Sequence, residues 1–436
     1  VTYLAGNADE FVLLLDEASQ ETDPQLSEQR RALARENSWT ARYEMIDSAL
    51  QRKPPAGQMP PRILFVYPTL SMGGLEVVLQ CRVLELLRRR WQVRLIFLEE
   101  IDGRPLFESI GADVRICPDA GGFTAELNSF QPDWVVSIDT PQILDAVRNS
   151  DLATRLIYES HSTYPHILAP LVAPDFLNGI SGLIVPSISQ QQRIVSLLAT
   201  EARIAVVPNA LPPDFFHAAD DLPTPARPVV LWVGRLDAHK NWRAFLEIAS
   251  QLRGRIDAEF HLVSGGFSND ADRTTLQELI DSAGLADRFR WLPTIEHSQM
   301  PAVYRTVALS GGCLVSTSVA ESFGLAVLEA MACHCPVVVP DIEGLRELVE
   351  PGDTGRLYPS GDIAAACSQI EEILHQTPGQ RRAMTDQAFQ TALRFASEAA
   401  TDRFLEILGN WATQPDTAIA GTAADHLAAR RAQLSR

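Results

Sequence analysis

The sequence predicts an α/β protein built from two parallel, doubly wound sheets that face each other across a hinge. Three observations predict it. Short β-branched runs alternate with amphipathic helical stretches along most of the chain, two proline-rich breaks interrupt them, and after the second break the strand series starts again. Strands separated by helices are joined by right-handed crossovers and therefore lie parallel. Ligands of such sheets bind beyond the carboxyl ends of the strands, so the expected site is a cleft between the two domains.

Residues 1–52 read as a charged helical segment, with Phe11, Leu14 and Leu15 on one face of a first helix and a second helix from about residue 28 to residue 50. Residues 53–61 are a linker, because Pro54, Pro55, Gly57, Pro60 and Pro61 can neither continue a helix nor join a sheet centrally. Residues 62–210 form the first domain, with strands at 62–67, 93–98, 114–116, 134–138, 155–158, 182–185 and 204–207. A turn over 68–74 and a helix over 75–90 follow its first strand. A second break at 211–214 and 222–228 opens the second domain, 211–395. Its strands are expected at 229–233, 259–263, 289–292, 312–316 and 337–339, with helices at 242–252 and 272–283. A closing helix at 396–412 and a polar tail at 413–436 complete the chain.

With 436 residues, 46% of them hydrophobic and 21% charged, the chain has ample material for two cores. A net charge of −18 with no basic tail argues against a general nucleic-acid binder, which needs a concentrated basic face to displace counterions. No apolar run reaches transmembrane length, and the first residues carry Asp9, Glu10, Asp16 and Glu17, so the expected location is cytoplasmic. The six cysteines (81, 117, 313, 333, 335 and 367) show no disulfide framework and read as reduced, buried thiols. Cys333-His334-Cys335 invites a metal reading, but zinc sites supply more ligands at looser spacing, and packing at a helix end is expected instead.

The richest stretch for chemistry is 321–340, where Glu321 and Glu329 stand eight positions apart around a helix start. Ser322, Phe323 and Gly324 allow a tight turn, and Leu325 begins an apolar helical run that Pro336 stops, before a buried β-branched strand. Unpaired amides of residues 322–325 at such a helix start suit an anionic ligand that carries hydroxyls. In the second domain the first strand runs into Gly234-Arg235 and on to Lys240. Gly234 permits close backbone approach, Arg235 brings a guanidinium fork and Lys240 an ammonium, together a pyrophosphate clamp. The plainer alternative is an Arg and a Lys on a solvated loop beside Asp237. In the first domain, Gly73-Gly74 before a helix can cradle phosphate or leave room for substrate, and His161 just past a strand points at the cleft, the alternative being a structural loop histidine.

The run from Arg62 to about Trp411 resembles the retaining, GT-B-type glycosyltransferases of the large family 4 (glycosyl transferases group 1). The motifs are Gly73, Gly74 and Glu76; His161; Val207-Pro208-Asn209; Gly234, Arg235, Lys240 and Asn241; and Glu321 with Glu329. The resemblance implies a GT-B fold of two facing Rossmann-like domains and a nucleotide-diphosphate sugar as donor, with no metal or other cofactor. It implies that Arg235 and Lys240 hold the diphosphate, that Glu329 accepts from the ribose hydroxyls, and that Glu321 with the amides of Ser322, Phe323, Gly324 and Leu325 holds the sugar. Gly73, Gly74 and Gly234 join the donor side, His161 the catalytic set, and Glu347 is structural. The implied acceptor is a glycan or lipid-linked hydroxyl in cell-surface polysaccharide synthesis, at the cytoplasmic face of a membrane. Leu87-Arg88-Arg89-Arg90-Trp91 is either a peripheral contact to anionic lipid or simple complementation of a helix dipole, the favoured reading.

Three rival readings stay open beside it: a catalytically silent nucleotide-sugar scaffold module, a GT-B epimerase and a GT-B phosphorylase. Departures from the family pattern are Ala210 and His334, where glycine is usual, Pro293, and the inserted-looking 310–312; they touch hinge geometry and sugar specificity rather than the clamp. Residues 1–52 resemble the tail of a preceding transferase domain: residues 1–11, Arg30-Arg31-Ala32 and 37–43 echo residues 355–363, Arg381-Arg382-Ala383 and Arg403-Phe404. The expectation is a tandem protein; the alternative is a private helical extension.

Overall fold

The computed structural model describes residues 59–198, 202–217, 222–264, 270–293 and 295–413. The readings made for residues 1–52, for most of the 53–61 linker and for the tail beyond 413 lie outside the described residues.

The first sheet has seven parallel strands: β1 (Arg62–Leu70), β2 (Gln92–Glu100), β3 (Asp113–Ile116), β4 (Trp134–Ile138), β5 (Arg155–Glu159), β6 (Ile180–Val185) and β7 (Ile204–Val206), in the order β3-β2-β1-β4-β5-β6-β7. The second has six: β8 (Val229–Val233), β9 (Glu259–Ser264), β10 (Phe289–Pro293), β11 (Cys313–Val315), β12 (Val337–Pro340) and β13 (Arg356–Tyr358), in the order β10-β9-β8-β11-β12-β13. Every residue of β4 and β6 is buried, as expected for central parallel strands covered on both faces. Strand order reverses at β1/β4 and at β8/β11, and the crevices of doubly wound sheets open at such switch points.

Ten helices of eight residues or more wrap these sheets among the described residues. They are α1 (Gly74–Arg88), α2 (Ala120–Phe130), α3 (Ile188–Leu197), α4 (Trp242–Leu252), α5 (Asp270–Ser282), α6 (Met300–Leu309), α7 (Leu325–Ala332), α8 (Ile363–Leu374), α9 (Pro378–Ala392) and α10 (Ser397–Ala412). Helix α10 follows the second sheet in sequence but packs in the core of the first: Phe404, Ile407, Leu408 and Trp411 are buried with Ile63, Phe65 and Ile184. Gly182 makes room for it, since a Cβ there would lie 2.5 Å from the Trp411 ring. The chain thus crosses between the sheets twice, and the crossings are stitched together where the Leu211 amide donates to the Phe395 carbonyl at 2.9 Å.

Several boundaries differ from expectation. β1 runs on to Leu70 through the stretch read as a turn, because β2 pairs with it up to the Leu70/Glu100 register. β13 was not expected; three residues are too few to announce a strand, and β12 supplies its partner. Helix α7 ends at Ala332, not at Pro336, since His334 takes a left-handed backbone (φ 54°) and turns the chain into β12. That conformation is why glycine suits this position. Here the His334 ring compensates by stacking on Phe389 at 4.4 Å and facing Asp386 at 3.3 Å. Cys333 and Cys335 turn inward to the Phe215 and Pro336 carbonyls, so the three side chains do not converge on a metal.

Candidate active site

The second-domain half of the site lies at the carboxyl ends of β8 and β11. β8 delivers Gly234 and Arg235, where a Cβ at residue 234 would sit 2.9 Å from the Trp232 ring. Asn241 opens α4 from a left-handed backbone (φ 50°), which leaves Lys240 on the preceding turn. Thr317 fixes that turn: its hydroxyl meets the Lys240 and Asn241 carbonyls at 3.0 and 2.9 Å and accepts from the Trp232 indole at 2.9 Å. The Asp237 carboxylate takes the Lys240 amide at 2.9 Å. The Lys240 ammonium then reaches Glu321 Oε1 at 2.6 Å, the same oxygen that accepts from Ser318 Oγ at 2.7 Å.

Beyond Glu321 the chain turns at Gly324 (φ 97°), which only glycine tolerates well: a Cβ would also lie 2.4 Å from Leu345. Among the described residues, the amides of Ser322, Phe323, Gly324 and Leu325 donate to no backbone carbonyl, as expected for the first turn of α7. Phe323 offers only its amide, since its ring is buried against Phe395 at 5.4 Å. Glu329, one turn into α7, is buried, and both its oxygens are engaged: Oε2 accepts from the Tyr304 hydroxyl at 2.7 Å and Oε1 meets His297 Nε2 at 2.9 Å.

The first-domain half gathers at the carboxyl ends of β1, β4 and β5. Glu159 is fully buried and held by both guanidinium nitrogens of Arg82, at 2.6 and 2.9 Å. Burial opposes its ionisation, but Arg82 and His161 outweigh it and bring the carboxyl down to about 2. His161 Nε2 lies 2.8 Å from Glu159, which leaves Nδ1, buried and without a hydrogen-bond partner, as its one uncommitted nitrogen. The His161 amide donates to both oxygens of Asp139, a buried residue in a left-handed backbone (φ 44°) whose carboxyl burial raises to about 6. Glu76, in the first turn of α1, accepts from Ser71 and is raised by burial to about 7. Gly73 leaves room beside it, since a Cβ there would lie 2.4 Å from Glu76 Oε2 and push that carboxylate aside, and a Cβ added at Gly74 would lie 3.0 Å from the Leu325 side chain of the other domain.

The halves touch at three further places. The Tyr164 hydroxyl donates to Asp237 Oδ2 at 2.8 Å and accepts from Arg235. Ser187 Oγ donates to the Ser322 carbonyl at 2.5 Å, and the α3 amides of Ile188 and Ser189 donate to Glu347 at 3.0 and 2.6 Å. Arg235, Lys240, Gly234, Glu321 and residues 322–325 therefore share one sheet edge, with Gly74 across from Leu325. Glu329 and His161 sit behind that edge, each in its own hydrogen-bond set. Sequence reasoning missed Tyr164, Asp139, Ser187, Tyr304 and His297; none belongs to a motif, and each meets its partner only through tertiary contact. Of the Arg88-Arg89-Arg90 run, Arg88 pairs with Glu85 and Arg89 with Asp402 of α10. No helix among the described residues is long and apolar enough to cross a membrane.

Comparison with known proteins bears on the fold and on the second domain. Residues 218–391 match the family model of the glycosyl transferases group 1, so the second domain carries the resemblance already seen in its motifs. D-inositol 3-phosphate glycosyltransferase of Mycolicibacterium smegmatis is 32% identical over 271 residues, 59% of this chain and 59% of that protein. The aligned stretch thus spans about three fifths of that relative's length. Among solved structures, Anabaena Alr3699/HepE in complex with UDP and glucose superimposes with a TM-score of 0.68 at 20% identity, covering 80% of this chain and 100% of that one. A glycosyltransferase from Rickettsia africae gives 0.70 at 16% identity, over 82% and 100%. At these identities the structural likeness establishes the fold alone: two Rossmann-like domains of the GT-B type.

Proposed function

We propose that this chain is a retaining glycosyltransferase that moves a sugar from a nucleoside-diphosphate sugar to a hydroxyl of a glycan or lipid-linked acceptor, in cell-surface polysaccharide synthesis at the cytoplasmic side. The observation that carries the reading is the Lys240–Glu321 contact of 2.6 Å beside Arg235 and the free amides of residues 322–325. Two cations and four N–H groups on one sheet edge suit a diphosphate and the sugar attached to it. The names of the relatives point the same way, and the neighbour solved with UDP and glucose makes UDP-sugars the first donors to try.

In this reading the diphosphate displaces part of the Lys240–Glu321 pairing. Lys240 and Arg235 turn to the phosphates, and Glu321 is released to the sugar hydroxyls. Tyr304 and His297 hold Glu329 so that its remaining lone pairs face the ribose. The carboxylates are not a hydrolase pair, because each is assigned to binding. The bond from the anomeric carbon to the diphosphate breaks as the acceptor oxygen attacks the same face, and the departing phosphate oxygen takes the acceptor proton. Arg235 and Lys240 meet the charge that develops on the diphosphate, so no metal is assigned to the step and chelation with EDTA leaves turnover unchanged.

The test is a panel of UDP-, GDP- and ADP-sugars with polyol and glycan acceptors, scored by nucleoside diphosphate release. Transfer with retained anomeric configuration supports the proposal. Tight nucleotide binding with no turnover across the panel would establish the silent scaffold instead. Glu321→Gln is expected to lower sugar transfer more than nucleoside diphosphate affinity, and Glu329→Gln to weaken that affinity; the reverse pattern in a titration overturns the two roles.

A further inference from the structure

Tyr164 belongs to no motif, yet it reaches from the first domain to Arg235 of the second and hydrogen-bonds it. It precedes the short helix Pro165–Leu168, three residues past His161, and its ring lies across the cleft on His239, with centroids 3.8 Å apart. Its hydroxyl donates to Asp237 Oδ2 at 2.8 Å, and Arg235 Nη2 donates to that hydroxyl. Asp237 Oδ2 also accepts from Arg235 Nε at 3.0 Å. Tyrosine, aspartate and arginine thus close a ring of three hydrogen bonds.

A guanidinium has five N–H donors in a rigid fork. Two are used by this ring, both on the Nε/Nη2 edge, so the Nη1 donors and the second Nη2 donor remain for an anion. Those two nitrogens form the end of the fork that binds phosphate oxygens in pairs. A long, half-exposed arginine on a loop would otherwise sample many rotamers, and ordering it on ligand arrival costs affinity or rate. Burial and the neighbouring Asp237 push the Tyr164 hydroxyl up to about 12, so it remains a proton donor to that carboxylate at neutral pH.

We infer that Tyr164 is a positioning residue: together with Asp237 it sets the Arg235 guanidinium from across the cleft, so that the free end of the fork meets the leaving diphosphate. This rests on the proposed transferase reading and deepens it by making the aim of the clamp depend on a residue of the first domain. Because the charge on the diphosphate grows as the glycosidic bond breaks, a correctly aimed fork matters more in the transition state than in the ground state. The signature of Tyr164 is therefore in kcat rather than in KM.

The experiment uses the full chain with UDP-, GDP- and ADP-glucose as probes, and compares Tyr164→Phe in two backgrounds. Phenylalanine keeps the ring on His239 and removes only the hydroxyl. The expected result is a fall in kcat of about tenfold, the scale of one hydrogen bond to a charged group, with KM changed by less than about twofold and the melting temperature unchanged. In an Arg235→Lys background the same substitution should add nothing further, because an ammonium has no planar fork for Tyr164 to aim. Unchanged kcat in Tyr164→Phe, or the same tenfold loss in both backgrounds, overturns the inference. A second readout does not need turnover: the Arg235 Nε–H signal in arginine-labelled protein, assigned by its loss in Arg235→Lys. It should be sharp in the parent and exchange-broadened in Tyr164→Phe, and an unchanged signal also overturns the positioning role. If none of the three probes is bound or turned over, the transferase reading falls, while the Nε–H signal still decides whether Tyr164 holds Arg235.

Discussion

At the carboxyl edge of the first sheet, Arg82 and Glu159 are 6% and 1% exposed and joined by two hydrogen bonds, with the Arg82 guanidinium also lying 4.6 Å over Phe404 of α10. At the edge of the second, Lys240 and Glu321 are 28% and 13% exposed and joined by one, while Arg235 is 46% exposed and held to Asp237 and Tyr164. A doubly bonded, buried pair has no lower-energy alternative, so it serves the fold. A half-solvated, singly bonded pair exchanges partners at little cost, so it can serve a ligand. The same residue chemistry has been divided by burial into a sealed pair on one side of the cleft and an accessible pair on the other.

The largest way to break this contrast is Arg82→Ala, which leaves Glu159 charged and buried without its main partner. A loss of about 3–5 kcal/mol is expected in denaturant unfolding. A loss under 1 kcal/mol would show that the first-domain pair is as replaceable as the second. Next come Arg235→Ala and Lys240→Ala, each expected to lower kcat about 10²–10³-fold with the fold intact by circular dichroism. Full turnover in both would remove the clamp.

A smaller effect lies in pH, where two carboxyls of the first domain pull in opposite directions. Glu159, lowered to about 2, stabilises the fold above the ordinary carboxylate range, and that contribution is lost as pH falls from about 4.5 towards 2. Glu76, raised to about 7 by burial, holds its proton in the folded state after the unfolded chain has released its own, so its contribution is lost as pH rises from about 4.5 to 7. Glu76→Gln should therefore gain on the parent between pH 5 and 8, on the order of 1–3 kcal/mol, and parallel pH profiles would refute it. The smallest effect sharpens the contrast from the other side: Lys240→Ala should change unfolding free energy by no more than about 1 kcal/mol.

Much of the architecture was legible because its signals are local. Val229–Val233 and Trp242–Leu252 were read with the bounds they have, since a β-branched run and a 3.6-residue apolar period need no partner to be seen. Both sheets and the clustering of Arg235, Lys240 and Glu321 at one edge follow from strands that end at predictable points. The partners of those side chains were not legible. Tyr164 meets Asp237 from 73 residues away, Arg82 meets Glu159 from 77, and Ser187 meets Ser322 from 135. No spacing rule connects such positions; only the folded crevice does. The left-handed turn at Asp139 escaped for another reason, since a single aspartate after a strand carries no mark of its backbone angle.

One feature of the clamp gives it a chemical address. The sequence contains 37 basic residues, yet only Lys53 and Lys240 are lysines; all the others are arginines. Partly exposed Lys240 is therefore the sole primary amine of a side chain anywhere from residue 54 to residue 436. An acylating reagent that ignores guanidinium groups becomes a footprint of one atom in the cleft, read by mass spectrometry as the modified peptide that carries Lys240. Added nucleotide shields that peptide if it occupies the clamp, so the residue proposed to grip the phosphate would also report its arrival.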